Sequence, residues 1–333
     1  MLRYLFIGKL QRDYIITPDQ KAHIDIPGGN LLYAAVGFSH WETDAGLVAR
    51  VGEDFPQEWL EKIAHLGLDT RGVHILPETI DVRNFVAYQD LETPSKDTPI
   101  SSFARIGLPL PKSLLGYASQ APQLDSKNQP GPTTIRIRDV PEDYLDTIAA
   151  HICPLDYQSH VLLPNLLRQG HITTLTLDPA AGYMDPLFWD DVPALFKGLT
   201  ALLVSEQKVR SLFQGRSGDL WEMAETLAGY GCEIVVIKRG ARGQYVYDHH
   251  RHAHWMVPAY PVRATDPTGA GDAFCGGFLA GYQKSYNPLE AALYGSVSAS
   301  LAVEGTGPFY ALDTLEGLPQ ARLEMLTSMV REA

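Results

Sequence analysis

The stretch DPTGAGDAF, residues 266–274, places a single acid, Asp272, directly behind a cluster of small residues. Gly269 and Gly271 have no Cβ, so the backbone can turn sharply and a bulky anion can approach its N–H groups. The apolar run that follows predicts a helix, whose N-terminal amides and dipole favour an anion. A phosphoryl group bound there would lie beside Asp272, which could accept the proton of an attacking hydroxyl. The alternative is that Asp272 only caps the helix.

Length and composition indicate which general class of protein contains this loop. With 333 residues and 45% hydrophobic content, the chain can bury a large core, as one α/β domain or two smaller ones. A net charge of -12 argues against nucleic acid as a partner. Cys153, Cys232 and Cys275 are odd in number and lie far apart with no CxxC spacing, so they suggest neither a disulfide framework nor a zinc site, and a reducing cytosol fits best. Because no signal-peptide pattern or long apolar run occurs, we expect a cytoplasmic protein with no membrane contact.

Strands and helices alternate along most of the chain, which predicts right-handed βαβ crossovers and a largely parallel sheet. Residues 2–8 predict the first strand, and the runs 13–17 and 22–27 predict a hairpin apart from the main sheet. We further predict strands at 45–52, 72–77, 82–90, 172–179, 199–205 and 233–240, a hairpin at 243–258, and helices at 30–41, 56–67, 160–170, 220–231, 288–303 and 314–331.

The alternation breaks between about Asp81 and Asp143. This stretch holds many Pro, Ser and Gly residues and ends in the alternating run TTIRIRDV, residues 133–140. We therefore predict a mobile or lid-like insertion. Its arginines either contact a substrate or are exposed strand charges: Arg83, Arg105, Arg136 and Arg138.

Residues 266–272 resemble the D-T-x-G-A-G-D signature of the PfkB, or ribokinase-like, carbohydrate and nucleoside kinases, with Pro267 in place of the usual Thr. The resemblance spans most of the chain, because other family landmarks occur in the family's order. It implies that Gly269, Ala270 and Gly271 form the anion hole for the transferred phosphate and that Asp272 is the catalytic base.

Two landmarks near the N-terminus imply an acceptor site. Asp13 stands five residues after Gly8, like the family acid that holds the acceptor's hydroxyls. Gly28 and Gly29 resemble the di-glycine hinge beside which the acceptor binds, together with Asn30. Taken alone, an acid such as Asp13 after a strand is usually a turn residue, and the glycine pair is equally well a tight turn before a helix. Tyr33 departs from the family pattern, since many sugar kinases have Asn there.

Further landmarks imply a nucleotide site. The run VVIKRGARG resembles the family's K-x-G-x-x-G turn with Lys238, Gly240 and Gly243, although a basic surface turn would look the same. Where the family has N-x-x-E, which helps to organise Mg²⁺ and the phosphates, this chain has Ser205 and Lys208. Ser205 could hydrogen-bond a metal-bound water, and Lys208 could contact phosphate directly.

The resemblance implies a ribokinase-like three-layer α/β/α core with a mostly parallel sheet and a small β lid. We expect a single kinase domain over residues 1–333, with the lid built from about 10–27 and part of 80–140, and the nucleotide-binding part at about 200–333. The implied reaction transfers the γ-phosphate of ATP to a hydroxyl of a small sugar, polyol or nucleoside. Mg²⁺ is expected with the nucleotide. Thr268 is expected at the nucleotide, and K⁺ is a possible further cofactor near Asp266 and Thr268.

The sequence is also compatible with other functions. A non-catalytic ligand-sensing or assembly protein could keep this fold and have lost the chemistry, and the changes at Ser205 and Lys208 favour that alternative. A dinucleotide-dependent oxidoreductase would share the α/β alternation, but this chain lacks the glycine fingerprint of that class.

The run HHRHAHW, residues 249–255, could place imidazoles on one strand face for a metal, but a solvated hairpin is the simpler interpretation. The pair at 190–191 suggests a solvated helix start, and a homodimer is possible through an exposed lid edge.

Overall fold

The computed structural model of the protein describes residues 2–95, 98–118 and 124–332, and these form two β-sheets. The strands are β1 (Tyr4–Ile7), β2 (Gln11–Ile16), β3 (Ala22–Gly28), β4 (Ala45–Gly52), β5 (Asp69–Leu76), β6 (Arg83–Tyr88), β7 (Pro94–Ser95), β8 (Ala149–Ile152), β9 (Thr174–Leu177), β10 (Ala201–Ser205), β11 (Ile234–Lys238), β12 (Gln244–Asp248), β13 (Ala253–Val257) and β14 (Arg331–Glu332).

Helices connect most of these strands. They are α1 (Asn30–Ser39), α2 (Gln57–His65), α3 (Pro99–Arg105), α4 (Tyr157–Leu167), α5 (Val192–Phe196), α6 (Glu206–Leu212), α7 (Leu220–Gly229), α8 (Ala270–Ser285), α9 (Pro288–Ala302) and α10 (Leu318–Thr327). In the described part of the chain, no helix combines the length and apolarity that a membrane crossing requires.

The large sheet has the strand order β14-β13-β12-β11-β10-β9-β8-β1-β4-β5. Strands from β11 through β5 in this order pair in parallel, and the remaining three pair antiparallel at one edge. The chain first builds outward from β1 to β4 and β5 and then returns to place β8 on the other side of β1. This reversal creates a topological switch point at the carboxyl ends of β1 and β8, where open α/β sheets bind their ligands.

Apolar side chains on both faces of the large sheet explain its layered packing. Phe6 points into the core formed with α1, α2, α8, α9 and α10, whereas its neighbours Leu5 and Ile7 point into the core formed with α4 to α7. A strand that is covered on both faces needs apolar residues at successive positions, as is general in parallel sheets. The expected three-layer α/β/α architecture with a mostly parallel sheet is confirmed.

The small residues of α8 allow it to pack closely against α1. A Cβ on Gly276 would lie 1.9 Å from the carbonyl oxygen of Ala34 in α1. Helices with such small contact residues can approach more closely than the usual spacing allows. This close packing fixes the direction of α8, and therefore the position of its N-terminus.

The second sheet is small, with the order β3-β2-β6-β7, and has a core of its own. Tyr14, Phe85 and Phe103 are fully buried there, with Phe103 contributed by α3. Its strands fall within the two ranges from which the lid was expected. Closure of this sheet over a substrate stays a prediction.

The end of the irregular segment belongs to the main core. Residues 133–140 form no strand, and their only regular element is a 3₁₀ turn at Ile137–Asp139. Ile135 is fully buried against the large sheet, and its N–H donates to the Ser159 hydroxyl at 2.9 Å. The lid-like interpretation of this end was therefore wrong, because an apolar side chain and a buried ion pair fix it to the core. The parts of the predicted insertion at residues 96–97 and 119–123 lie outside the described residues.

Two other elements differ from the sequence predictions. Strand β8 was not predicted, because its short run AAHI offers little apolar pattern between a 3₁₀ turn and α4. The helix expected at 314–331 is shorter, since residues 308–313 form a 3₁₀ turn and α10 spans only Leu318–Thr327.

A buried ion pair holds the 3₁₀ turn to the large sheet. The Arg50 guanidinium lies 3.0 Å from the Asp139 carboxylate, and both side chains are 4% exposed. Because Asp139→Asn would leave Arg50 as an uncompensated buried charge, we expect the free energy of unfolding to fall by about 3 kcal/mol. Urea unfolding of the variant and the wild type measures this difference. An unchanged unfolding midpoint would contradict it.

Candidate active site

A cleft of about 370 Å³ opens at the switch point of the large sheet. Its walls include the loops after β1, β8 and β9, together with residues of the small sheet and the start of α8. Asp13 and Asp272 both line it. The cleft therefore brings together the acid predicted to bind the acceptor and the acid predicted to be the base, although 259 positions of the chain separate them.

The loop before α8 has the conformation that the glycine pattern suggested. Gly269 lies in the left-handed region at φ 75° and precedes the first helical residue, Ala270, without any side-chain cap. Asp272 is the third helical residue, and its carboxylate makes no hydrogen bond to the described part of the chain. Helix capping therefore does not explain Asp272. The N–H groups of Gly269 and Gly271 likewise have no partner among the described residues, so they can bind an anion.

The surroundings of Asp272 set its ionisation. Burial, and then the nearby Asp178 carboxylate, raise the pKa of Asp272 to about 7, against the opposing effect of Lys238 and Lys208. A carboxylate with this pKa is poised to accept a proton near neutral pH.

For a reaction with Asp272 as the base, this shift of its pKa predicts an activity that depends on pH near neutrality. Since a base must be ionised to act, we expect kcat/KM for the acceptor to fall as the pH drops below about 7. An unperturbed aspartate would give that midpoint near pH 4. The measurement is a pH profile of kcat/KM from about pH 5 to 9, with circular dichroism at each pH to exclude unfolding. A flat profile above pH 5 in the folded enzyme would contradict the expectation.

The acceptor side of the cleft is built around Asp13, which is 1% exposed on β2. The amide of Asn84, on the adjacent strand β6, donates to the Asp13 carboxylate at 3.0 Å. A Cβ on Gly28 would lie 1.8 Å from that carboxylate. A glycine at position 28 is therefore what allows Asp13 to lie against β3 at the wall of the cleft, and the turn-residue alternative for Asp13 does not apply.

The second glycine and the following asparagine connect the cleft walls. Gly29 has φ 97°, and a Cβ there would lie 2.3 Å from the Lys9 carbonyl oxygen. The Asn30 side chain accepts from the Lys9 backbone N–H and donates to the Pro154 carbonyl, each at 2.8 Å. Asn30 therefore ties the loop after β1 to the loop after β8. It also lines the cleft, where binding of an acceptor stays a prediction.

Tyr33 fills the space below the glycine loop. A Cβ on Gly269 would lie 2.1 Å from the Tyr33 ring, so the ring can pack here only because residue 269 is a glycine. The Tyr33 hydroxyl is buried without a hydrogen-bond partner in the described structure, and burial raises the pKa of Tyr33 well above its usual value. The residue that departs from the family pattern is thus part of the support of the predicted anion hole.

The predicted nucleotide residues lie at the carboxyl ends of β10 and β11. The Ser205 hydroxyl caps α6 by accepting from the Lys208 N–H at 3.3 Å. Lys238 ends β11, and Gly240 and Gly243 have φ 58° and 78° in the turn that leads to β12. The Lys238 side chain is only 10% exposed, so the surface-turn alternative does not describe it.

Both lysines bind a residue that the sequence analysis missed. Asp178 follows β9 directly, and its two oxygens lie 2.6 Å from the ammonium groups of Lys208 and Lys238. Burial would raise the pKa of Asp178, but the two ammonium groups outweigh it and lower that pKa. The available signal was an acid immediately after a predicted strand in ITTLTLDP. Asn84 and Asp125 also line the cleft without having been predicted.

The predicted monovalent-cation region lies beside α8. The Thr268 N–H donates to one oxygen of Asp266 at 2.9 Å, and the Thr268 hydroxyl donates to Tyr88 at 3.1 Å. The other Asp266 oxygen is buried without a hydrogen-bond partner in the described structure. An orphaned carboxylate oxygen fits a nearby cation.

Other candidate groups fall outside the cleft. His254 lies 2.9 Å from Glu225 and His252 lies 3.2 Å from the Tyr247 hydroxyl. No group of three or more His, Cys, Asp or Glu residues in the described ranges could hold a metal. Asp191 pairs with Lys127 at the start of α5.

Of the four arginines considered, only Arg83 lines the cleft, while the others are exposed: Arg105, Arg136 and Arg138.

An acid and unpartnered amides at the start of a helix, at the switch point of a three-layer α/β/α fold, form the arrangement that phosphoryl transfer to a small molecule requires. Comparisons with known proteins identify the family to which the chain belongs. The profile described as "pfkB family carbohydrate kinase" matches residues 170–315. A cytidine kinase of Thermococcus kodakarensis is 30% identical over 291 residues, which cover 87% of this chain and 91% of that protein. The chain belongs to the pfkB family of carbohydrate kinases, and its activity is that of a carbohydrate or nucleoside kinase.

Solved structures agree with the fold. A putative ribokinase II from E. coli, in complex with ATP and Mg²⁺, has a TM-score of 0.69 over 99% of this chain and 100% of that chain, at 18% identity. A Burkholderia thailandensis nucleoside kinase in complex with inosine has a TM-score of 0.67 over 98% of each chain, at 20% identity. At these identities the likeness concerns the fold, which is ribokinase-like.

Proposed function

We propose that the protein transfers the γ-phosphate of ATP to a hydroxyl of a small acceptor bound in the cleft, and that a nucleoside is the first acceptor to test. The observation that carries the proposal is the placement of Asp13 and Asp272 in one cleft, with unpartnered amide groups beside Asp272. The nucleoside preference rests on the cytidine kinase that is similar to most of the chain. Sugars and polyols are the other acceptor classes.

Each part of the proposed site has a separate task. Asp13 accepts hydrogen bonds from the acceptor, next to the Gly28-Gly29 segment and Asn30. Asp272 takes the proton of the attacking hydroxyl. The N–H groups of Gly269 and Gly271 stabilise charge on the transferred phosphoryl group, which is the main electrostatic task in phosphoryl transfer. Ala270, predicted with them, donates its N–H to the Pro267 carbonyl at 3.3 Å.

The nucleotide is proposed to bind along residues of about 200–333, with Ser205, Lys208, Lys238, Gly240, Gly243 and Thr268. The positive charges of Lys208 and Lys238, close to unpartnered amides, fit the negative charge of a triphosphate in its Mg²⁺ complex. Magnesium, when bound, neutralises phosphate charge. Potassium is proposed near Asp266 and Thr268, where the orphaned oxygen of Asp266 fits a cation.

The small sheet is proposed to act as a lid. It contributes Asp13, Arg83 and Asn84 to the cleft wall, so its movement would change access to the acceptor. Closure would exclude water, which otherwise competes with the acceptor for the phosphoryl group.

Phosphate transfer from ATP to a panel of nucleosides, sugars and polyols tests the proposal. We expect at least one acceptor, with cytidine tried first, to be phosphorylated much faster than ATP is hydrolysed. A thermal-shift screen with a non-hydrolysable ATP analogue guides the panel, because a ligand at about 100 times its Kd stabilises a protein by roughly 3 kcal/mol. ATP binding without transfer to any acceptor would instead favour the non-catalytic alternative.

A further inference from the structure

The paired lysines next to the predicted anion hole have different free hydrogen-bonding capacity. Lys238 directs its ammonium group to Asp178 at 2.6 Å, to the Gly271 carbonyl at 3.1 Å and to the Cys275 sulfur at 3.1 Å. An ammonium group has three N–H donors, so those of Lys238 are all in use. Lys208 contacts Asp178 at 2.6 Å and has no other side-chain partner among the described residues. Two donors of Lys208 are therefore available to a ligand.

The positions of these groups follow from the parallel sheet. Asp178, Lys208 and Lys238 lie at the carboxyl ends of β9, β10 and β11, which are neighbours in the sheet. Lys238 extends from there to the Gly271 carbonyl in the first turn of α8. The three charges therefore form one connected group that ends at the predicted anion hole.

The charge balance of this group favours an anionic ligand. Asp178 is 2% exposed and supplies one negative charge to two ammonium groups. Buried ions are stable only when they are paired and hydrogen-bonded. Asp272 is the other carboxylate that acts on both ammonium groups, but it makes no hydrogen bond to either of them in the described structure. Lys208, which is 18% exposed, therefore keeps donors that an anionic ligand can reach.

We propose that Asp178 is a positioning residue that assigns different tasks to the two lysines: it directs the Lys208 ammonium group to the phosphates of the donor, and it fixes Lys238 as a brace of the Gly271 backbone. The inference rests on the proposed function and deepens it, because it names the group that contacts the donor's terminal phosphates. Bound phosphate would share Lys208 with Asp178, as Lys208 has donors for both.

Binding of AMP-PNP with Mg²⁺, compared with binding of AMP, tests the proposal without any acceptor. In Lys208→Met, we expect affinity for AMP-PNP to fall by about tenfold or more, because a charge-assisted hydrogen bond is lost. Affinity for AMP should stay within about twofold of the wild type, since AMP lacks the terminal phosphates. Lys208 is partly exposed, and the variant keeps the Asp178–Lys238 pair, so it should fold. Equal losses for both ligands, or no loss for either, would overturn the proposal.

Asp178→Asn tests the positioning role. We expect the same selective loss of AMP-PNP affinity, because the amide holds neither ammonium group by charge. Asp139→Asn is the matched control, since it also neutralises a buried carboxylate in an ion pair but lies outside the site. It should lower stability and leave the ratio of the two affinities unchanged. If Asp178→Asn only lowers stability in the same way, Asp178 is structural and the proposal fails.

The pH profile measures independently whether the charges of Asp178 and Lys208 act on Asp272, as their placement indicates. Asp272 is influenced by Asp178, Lys238, Lys208 and Asp13, and it also acts on Tyr33, Cys153 and Cys275. Removing the negative charge of Asp178 should shift the acidic limb of kcat/KM to lower pH, and Lys208→Met should shift it to higher pH. Shifts in the same direction, or none, would overturn the proposal.

The outcomes also separate this inference from the proposed function. Selective AMP-PNP binding that depends on Lys208, without transfer to any acceptor, would support the lysine assignment and overturn the proposed reaction. Transfer to an acceptor with unchanged AMP-PNP binding in Lys208→Met would support the reaction and overturn the assignment. Failure of the wild type to bind AMP-PNP would overturn both.

Discussion

Asp272→Asn should lower kcat for acceptor phosphorylation by roughly 10²–10⁴-fold, because the amide cannot accept the proton of the attacking hydroxyl. The substitution keeps the size of the side chain and leaves the Gly269 and Gly271 amides in place. Nucleotide binding should therefore stay within about threefold of the wild type, which isothermal titration with AMP-PNP and Mg²⁺ measures. The acidic limb near pH 7 should also disappear from the residual activity.

Glu290→Gln provides the matched control for this variant. Glu290 is the third residue of α9, as Asp272 is of α8, but it is exposed and lies outside the cleft. Loss of a favourable interaction with the helix dipole costs roughly 0.3–1 kcal/mol at an exposed position such as Glu290, and up to about 2 kcal/mol at a partly buried one such as Asp272. Only Asp272→Asn should lose turnover. Turnover close to the wild-type value in Asp272→Asn would refute its assignment as the base.

Asp13→Asn should raise the KM for the acceptor by roughly 10- to 100-fold, since charge-assisted hydrogen bonds to the acceptor's hydroxyls contribute about 1.5–3 kcal/mol. Gly28→Ala should cause a similar defect by another route. The added Cβ would lie 1.8 Å from the Asp13 carboxylate and must displace it. Steady-state kinetics with the acceptor varied at saturating ATP, and then with ATP varied, separate the two sites.

The control for Gly28→Ala is Gly229→Ala. Gly229 ends α7, and a Cβ there meets no atom within 4 Å, so alanine should fit without a change in either KM. ATP binding should be affected little in Asp13→Asn and Gly28→Ala, because both positions lie on the acceptor side. An unchanged acceptor KM in both variants would show that Asp13 does not bind the acceptor.

Much of the local structure could be predicted from the sequence because it depends on neighbouring residues. The runs YLFI and IVVI are apolar throughout, which is typical of strands buried on both faces; YLFI forms β1, and IVVI forms β11 up to its last residue, Lys238. The alternating run at 133–140 misled the prediction, because Ile135 is buried by tertiary packing and not by strand pairing. Strand β8 was missed because its small residues become strand only between β1 and β9.

The sequence by itself indicated the type of chemistry, through the resemblance of three features to a kinase signature: glycines that free backbone amides, one acid at the start of a helix, and a second acid near the N-terminus. These features follow from residue type and short spacing, so they can be read without a fold. Only the tertiary structure decided the electrostatics. The pairing of Asp178 with Lys208 and Lys238, and the burial that brings the pKa of Asp272 to about 7, join residues from four separate elements. Charges interact through space, and distance in space is set by the packing of the sheet and helices rather than by position in the chain.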